Sequence, residues 1–119
     1  MLRLSPIQIV KKVWGEELWI VNNSLYCLKQ LILHPGFQSS LHWHQVKDET
    51  FLIDSGSCRL VLDGISYTLD PGDSKRIRPG VIHRFQALDS ILCVILEVST
   101  HHDDSDVVRL EESGKYEGR

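Results

Sequence analysis

Cysteine is scarce in this chain and forms no motif. Cys27, Cys58 and Cys93 are odd in number, far apart and each set among apolar residues, and no CxxC occurs. They read as buried, reduced thiols in a reducing compartment, which sets aside a disulfide framework and a cysteine nucleophile. Long apolar runs are missing too. The longest, residues 91–96, falls far below the roughly 18 residues that span a bilayer. The opening MLRLSPIQIVKK has neither the apolar core nor the small-residue cleavage site of a signal peptide, so a cytoplasmic protein with no membrane partner is expected. Charge of one sign is equally thin. A net charge of -3 with a pI near 6.0 offers no electrostatic footing for nucleic acid. Internal repeats, low-complexity linkers and a sustained helical period are all absent.

What the chain does have is turn chemistry at short intervals. At 119 residues it is one domain, long enough to bury roughly two-thirds of its unfolded surface. Residues 25–33 read as a strand that Pro35-Gly36 ends, and Asn22-Asn23 marks the turn before it. Cys58–Leu62 and Ile65–Leu69 flank Asp63-Gly64, a strong two-residue hairpin signal, and Asp70-Pro71-Gly72-Asp73 makes the next turn. A short strand over 74–78 puts Ser74, Arg76 and Arg78 on one face. Beyond Pro79-Gly80, Val81, His83 and Phe85 share a face, and 91–98 is apolar on both faces, as expected of a strand inside a sandwich. Strands at roughly ten-residue spacing predict an all-β sandwich or barrel. Trp14 and Trp19 are expected in the core or an interface, or else lining a ligand cavity.

Six histidines is a high count for this length. His42 and His44 stand two apart, so in a strand both imidazoles face the same way. Glu49 joins them if the chain turns through 45–48, making Glu49, Phe51 and Ile53 the inward set of the following strand. With one distant histidine, such a donor set suits Mn, Zn, Fe, Co or Ni. His34, just before Pro35, is not counted among the donors. His101, His102 and the aspartates after them could form a second metal site but read more simply as a solvated turn.

Gly36, five residues, His42, one residue, His44, four residues, Glu49, six residues and Gly56 reproduces the first sequence motif of the cupin superfamily, which this chain resembles. The second motif is matched by Gly72, Gly80 and His83, with Arg78 where that motif has Pro and Ala87 where it has Asn. The resemblance implies a small jelly-roll, or double-stranded β-helix, over residues 1–110, with residues 2–13 as an edge strand or an N-terminal arm of the kind through which cupins form a homodimer, and a flexible tail at 111–119. It further implies a divalent transition metal held by His42, His44, Glu49 and His83, with one or two positions open to water or substrate. Such coordination also relieves the cost of burying a carboxylate.

A longer similarity, through Val13-Trp14-Gly15, Lys47-Asp48-Glu49, His83-Arg84-Phe85, Glu97-Val98-Ser99 and 106–110, is to the cupin domain of type II mannose-6-phosphate isomerases. Those enzymes commonly have Gln at His42 and Arg at Lys47. The implied chemistry is aldose–ketose isomerisation of a sugar or sugar phosphate, the metal chelating carbonyl and hydroxyl oxygens and stabilising an enediolate. Lys47 and Glu49 are the expected catalytic residues, Lys47 as proton shuttle or anion clamp, and a rim lysine in a turn is its plain alternative. Lys29 is retained as a minor candidate, although a lysine in an apolar strand usually faces solvent. Arg76, Arg78 and Arg84 are the cations available for a phosphate, Arg84 with the wrong parity. Two other readings stay open: an iron-dependent dioxygenase, and a non-catalytic small-molecule sensor.

Overall fold

The computed structural model describes residues 5–88 and 90–116. Its strands are β1 (Gln8–Lys12), β2 (Gly15–Asn22), β3 (Cys27–Leu33), β4 (Phe37–Gln38), β5 (Leu41–His44), β6 (Glu49–Ser55), β7 (Cys58–Leu62), β8 (Ile65–Leu69), β9 (Ser74–Ile77), β10 (His83–Ala87), β11 (Cys93–Ser99), β12 (Val107–Glu111) and β13 (Gly114–Lys115). A single 3-10 turn, Asp104–Asp106, precedes β12, and no helix among the described residues is long and apolar enough to cross a membrane.

Two antiparallel sheets make a small jelly-roll, the double-stranded β-helix. One runs β1-β2-β3-β11-β6-β9; the other runs β12-β5-β10-β4-β13, with β7 and β8 attached through β10. Alternation along each strand builds the core between them. Leu31, Leu33, Phe51, Ile53 and Ile95 face inward from the first sheet, and Leu60, Phe85 and Ala87 from the second. Trp14 closes this core edge-on to Phe85, their ring centroids 5.1 Å apart. The Asp63-Gly64 hairpin forms as its sequence requires, with both residues at positive φ, 47° and 82°. Gly56 is needed for two reasons: its φ is 72°, and a Cβ there would stand 2.5 Å from the Leu92 carbonyl oxygen.

Two expectations change. Of the two readings of residues 2–13, the edge strand is the one that forms: residues 8–12 pair with β2 from Gln8 opposite Trp19 to Lys12 opposite Gly15, at the end of the first sheet. Residues 1–4, the start of the expected arm, lie outside the described residues. The expected tail also carries structure. β13 pairs with β4, and Tyr116 is buried with its hydroxyl donating to the Ala87 carbonyl, an aromatic anchor hidden behind the polar run 111–113; residues 117–119 lie outside the described residues. Finally, the outer face of β11 is covered only in part: Val94 is buried there and Leu96 half-buried, whereas Val98 is exposed. The three cysteines are free and buried, as composition predicts.

Candidate metal centre

Register brings the histidines together. On the second sheet His83 of β10 is the direct partner of His42 of β5, so both project to the same side, and His44 follows two residues on. Glu49 comes from the other sheet. It begins β6, paired between Ser99 and Ile77, and faces the histidines across the barrel. One donor atom from each of His42, His44 and His83 can be chosen such that all lie within 4.8 Å of one another. Glu49 is outside that set of three, but its Oε2 is 3.3 Å from His44 Nε2 and 3.4 Å from His83 Nε2. His44 is tied to the second motif, since its carbonyl accepts from Gly80 N at 2.8 Å.

The outer nitrogens of two rings are already committed. His42 Nδ1 is 2.8 Å from the Ser40 carbonyl oxygen, and His83 Nδ1 is 2.8 Å from that of Val81. A carbonyl only accepts, so each Nδ1 carries the proton and each Nε2 presents a lone pair inward. Burial, and then the neighbouring His83, push His42 down to about 3, which keeps it a neutral donor. Glu49 stays ionised: burial alone would raise it, but the Lys47 ammonium draws it well below the usual carboxylate range. Three buried atoms, His44 Nδ1, Glu49 Oε2 and His83 Nε2, have no hydrogen-bond partner. In the neutral tautomer Glu49 Oε2 and His83 Nε2 are acceptors facing each other; a second proton on the imidazole or a cation satisfies them, and three converging imidazoles suit the cation. The donor set therefore fits a divalent metal.

Beside the histidines lies a cavity of about 70 Å3, and a second polar group lines it. Lys47 Nζ is 2.5 Å from Glu97 Oε2, 3.9 Å from Glu49 Oε1 and 3.1 Å from His102 Nδ1. His102 in turn donates from Nε2 to Asp104 Oδ1 at 2.7 Å. Burial would lower Lys47, but Glu97 and Glu49 outweigh it and hold the ammonium above the ordinary lysine range. Lys29 Nζ lies 3.4 Å from Glu17 Oε1 and 4.3 Å from the centre of the Trp19 ring, and Glu17 also accepts from Trp19 Nε1 at 2.9 Å.

Lys47 owes its place to the acidic segment after β11. Asp106 accepts from Gln45 N and Val46 N through Oδ1, both at 3.0 Å, and from Lys47 N through Oδ2 at 2.9 Å. One carboxylate thus holds the whole turn that resets the strand face between His44 and Glu49.

Of the other candidates, Lys29 lines the same cavity and the rest fall elsewhere. Lys29, expected to face solvent, is 1% exposed on the inward face of β3. Arg76 pairs with Asp48 on the outside, and Arg84 donates to Ser39 O and Glu111. Neither these nor Arg78 lines the cavity. His34 is exposed, and His101 sits on the Asn23 carbonyl. Among the described residues the histidine trio is the only donor cluster of its kind, so His101 and His102 form no second one. Glu17 and Glu97 were missed. Glu97 had a signal, an acidic residue at inward parity within a strand otherwise apolar; Glu17, in a plainly charged stretch, had none.

A jelly-roll whose two sheets close on a three-histidine cluster is a small β-barrel with a suggested divalent-metal site. The chain belongs to the cupin family: the family model described as the Cupin domain matches residues 30–99. It is 31% identical to the D-lyxose/D-mannose isomerase of Thermosediminibacter oceani, over 73% of this chain and 63% of that protein. It is 24% identical to a mannose-1-phosphate guanylyltransferase of Sinorhizobium fredii, over 98% of this chain and 23% of that protein. The chain therefore spans under a quarter of the second relative and under two-thirds of the first. Among solved structures, the capsular polysaccharide assembling protein CapF from Staphylococcus aureus superposes with a TM-score of 0.80 at 21% identity, over 90% of this chain and 32% of that one. That last likeness is one of fold.

Proposed function

We propose that this cupin is a metal-dependent aldose–ketose isomerase acting on a sugar, with His42, His44, Glu49 and His83 holding the ion. The carrying observation is the facing pair of buried acceptors, Glu49 Oε2 and His83 Nε2, set beside a buried Lys47–Glu97 ion pair in one cavity. The likeness to a D-lyxose/D-mannose isomerase supports the reaction class. A divalent ion held there supplies Lewis-acid polarisation of a carbonyl flanked by a hydroxyl.

The chain's own residues supply the rest. Lys47 is kept as an ammonium by two carboxylates, so it acts as a hydrogen-bond donor to the oxygen on which enediolate charge collects, not as a proton acceptor. Glu97 is the proposed acceptor. Its carboxylate lines the cavity beside Lys47 and is placed to take the proton α to the carbonyl and return it to the neighbouring carbon, while the proton of the adjacent hydroxyl passes to the former carbonyl oxygen. Glu49 orients Lys47 from the other side.

The test is metal identification by mass spectrometry on untreated protein, followed by an aldose–ketose interconversion assay in deuterated water. Interconversion with solvent deuterium entering the product supports the reading. A metal-loaded protein that turns over no aldose, or one whose iron consumes oxygen with substrate, ends it. We further infer a homodimer through the outer face of the first sheet, where Leu52 and Val98 are exposed beside each other's strands. Sedimentation of wild type against Val98→Glu checks it, a monomeric wild type being the contrary result.

A further inference from the structure

Building on the isomerase reading, we propose that the cavity wall away from the histidines selects an uncharged polyhydroxy chain and discriminates against its phosphate ester. That wall carries the ion pairs Lys29–Glu17 and Lys47–Glu97, with His102 beside the second, among the apolar Trp14, Leu31, Phe51 and Phe85. Lys29 is 1% and Lys47 3% exposed. A buried ion pair is a poor stabilising device, because apolar residues of the same volume usually do as well or better. Two pairs on one cavity wall, Lys47–Glu97 buried at both ends and Lys29–Glu17 at its lysine end, therefore call for a reason connected with what enters it.

A hydroxyl group both donates and accepts, and a chain of them meets its match in a wall that alternates ammonium donors with carboxylate acceptors. Here the alternation is held in place. Glu17 is pinned between Trp19 Nε1 and Lys29, and Glu97 is pinned by Lys47. Lys29 is further seated over the Trp19 ring. Sites built to hydrogen-bond a hydroxyl reject partners that leave those groups unpaired, by factors of about 100 or more.

A phosphate ester meets the opposite situation. It carries between about -1.5 and -2 charges at neutral pH and would bring them up against Glu17 and Glu97. Both buried lysines are already neutralised, and Lys12 stands 3.9 Å from the same Glu17. Of the arginines, Arg76 and Arg84 are engaged outside the cavity. Arg109 lines the cavity but is exposed, where a lone cation is screened by solvent.

The experiment is calorimetric titration of the metal-loaded chain with an alditol and its phosphate ester, mannitol and mannitol 1-phosphate, which lack a carbonyl and cannot react. We expect the neutral alditol to bind at least about tenfold more tightly, and Glu17→Gln, which releases one countercharge from Lys29, to shift that ratio at least about tenfold toward the ester. Equal or tighter binding of the ester by wild type, or binding of neither, overturns the proposal; wild type alone decides it should Glu17→Gln fail to fold. Turnover of D-mannose and its 6-phosphate is measured in parallel. Preference for the neutral alditol without turnover sinks the isomerase reading and leaves the subsite, whereas faster turnover of the ester sinks the subsite and leaves the isomerase.

Discussion

His83 Nε2 stands 3.4 Å from Glu49 Oε2 across the gap between the two sheets, and neither atom has a hydrogen-bond partner. Because Val81 takes the Nδ1 proton of His83, both facing atoms are acceptors in the neutral imidazole. Glu49→Gln separates the two demands on this pair. With metal present it removes an anionic donor and weakens binding about tenfold or more, read by competition with a chelator. In stripped protein the new amide can donate to His83 Nε2, so its thermal transition is not lowered relative to stripped wild type. Removing the metal from wild type should lower that transition by roughly 10 °C when the ion had been present at about 100 times its Kd.

Lys47 is bound to two carboxylates from two strands, which makes its truncation informative. Lys47→Met leaves Glu97 and Glu49 buried without their cation and should cost about 3–5 kcal/mol in chemical denaturation. Metal stays bound, since the ligands are untouched, and turnover falls at least about tenfold. Adding Glu97→Gln to Lys47→Met should recover much of the stability and none of the turnover. Recovery of turnover would show that neither group handles the reaction.

Much of this was legible in residue order. Two-residue alternation in His42-Trp43-His44, the odd step to Glu49 and the late His83 point to the cluster that the fold assembles, because strand parity is a local property and a turn of four residues is enough to reset it. The Asp63-Gly64 hairpin is legible for the same reason. Legibility ends where partners are distant in sequence. Lys29 looks like a surface lysine until β2 brings Glu17 and Trp19 alongside it, and Glu97 gains a role only when the turn after β5 delivers Lys47. The sheet register that makes these meetings is set by core packing of the whole chain, which no single stretch displays. The 101–106 segment misleads for another reason: acidic residues that look solvated are spent on backbone amides and on His102.

Asp106 carries such a hidden role. Its carboxylate takes three backbone N–H groups of the turn that points Lys47 inward. Charge-assisted bonds of this kind are each worth about 1.5–3 kcal/mol when well formed, and these are partly exposed, so Asp106→Ala should cost roughly 2–4 kcal/mol in total. Asp106→Asn keeps an acceptor and should lose less than half as much. The sharper consequence concerns the site. Freed of its clamp, the turn no longer fixes Lys47, and kcat should fall with little change in metal content. An alanine variant with normal kcat would show that the packing of Lys47 against Glu97 is enough to hold it.

The response to acid follows from histidines that the fold keeps neutral. Burial and then His83 hold His42 at about 3 against an ordinary value of 6.5, and burial and then Lys47 also lower His102. A histidine with a depressed value binds no proton in the folded chain while the unfolded chain takes one up, so stability falls as pH drops below 6.5. Carboxylates held low, Glu49 among them, also lose stabilising effect in acid, but only below their ordinary value of 4.5. The interval from 6.5 down to 4.5 therefore belongs to the histidines. In stripped protein each such histidine should contribute a slope of up to about 1.4 kcal/mol per pH unit there. His42→Leu should flatten the urea-midpoint profile across that interval by one proton's worth, and His102→Gln should flatten it further. A profile that keeps its wild-type slope in His42→Leu would mean that the imidazole takes up its proton in the folded state, and the reading of His42 as a neutral metal donor would fall with it.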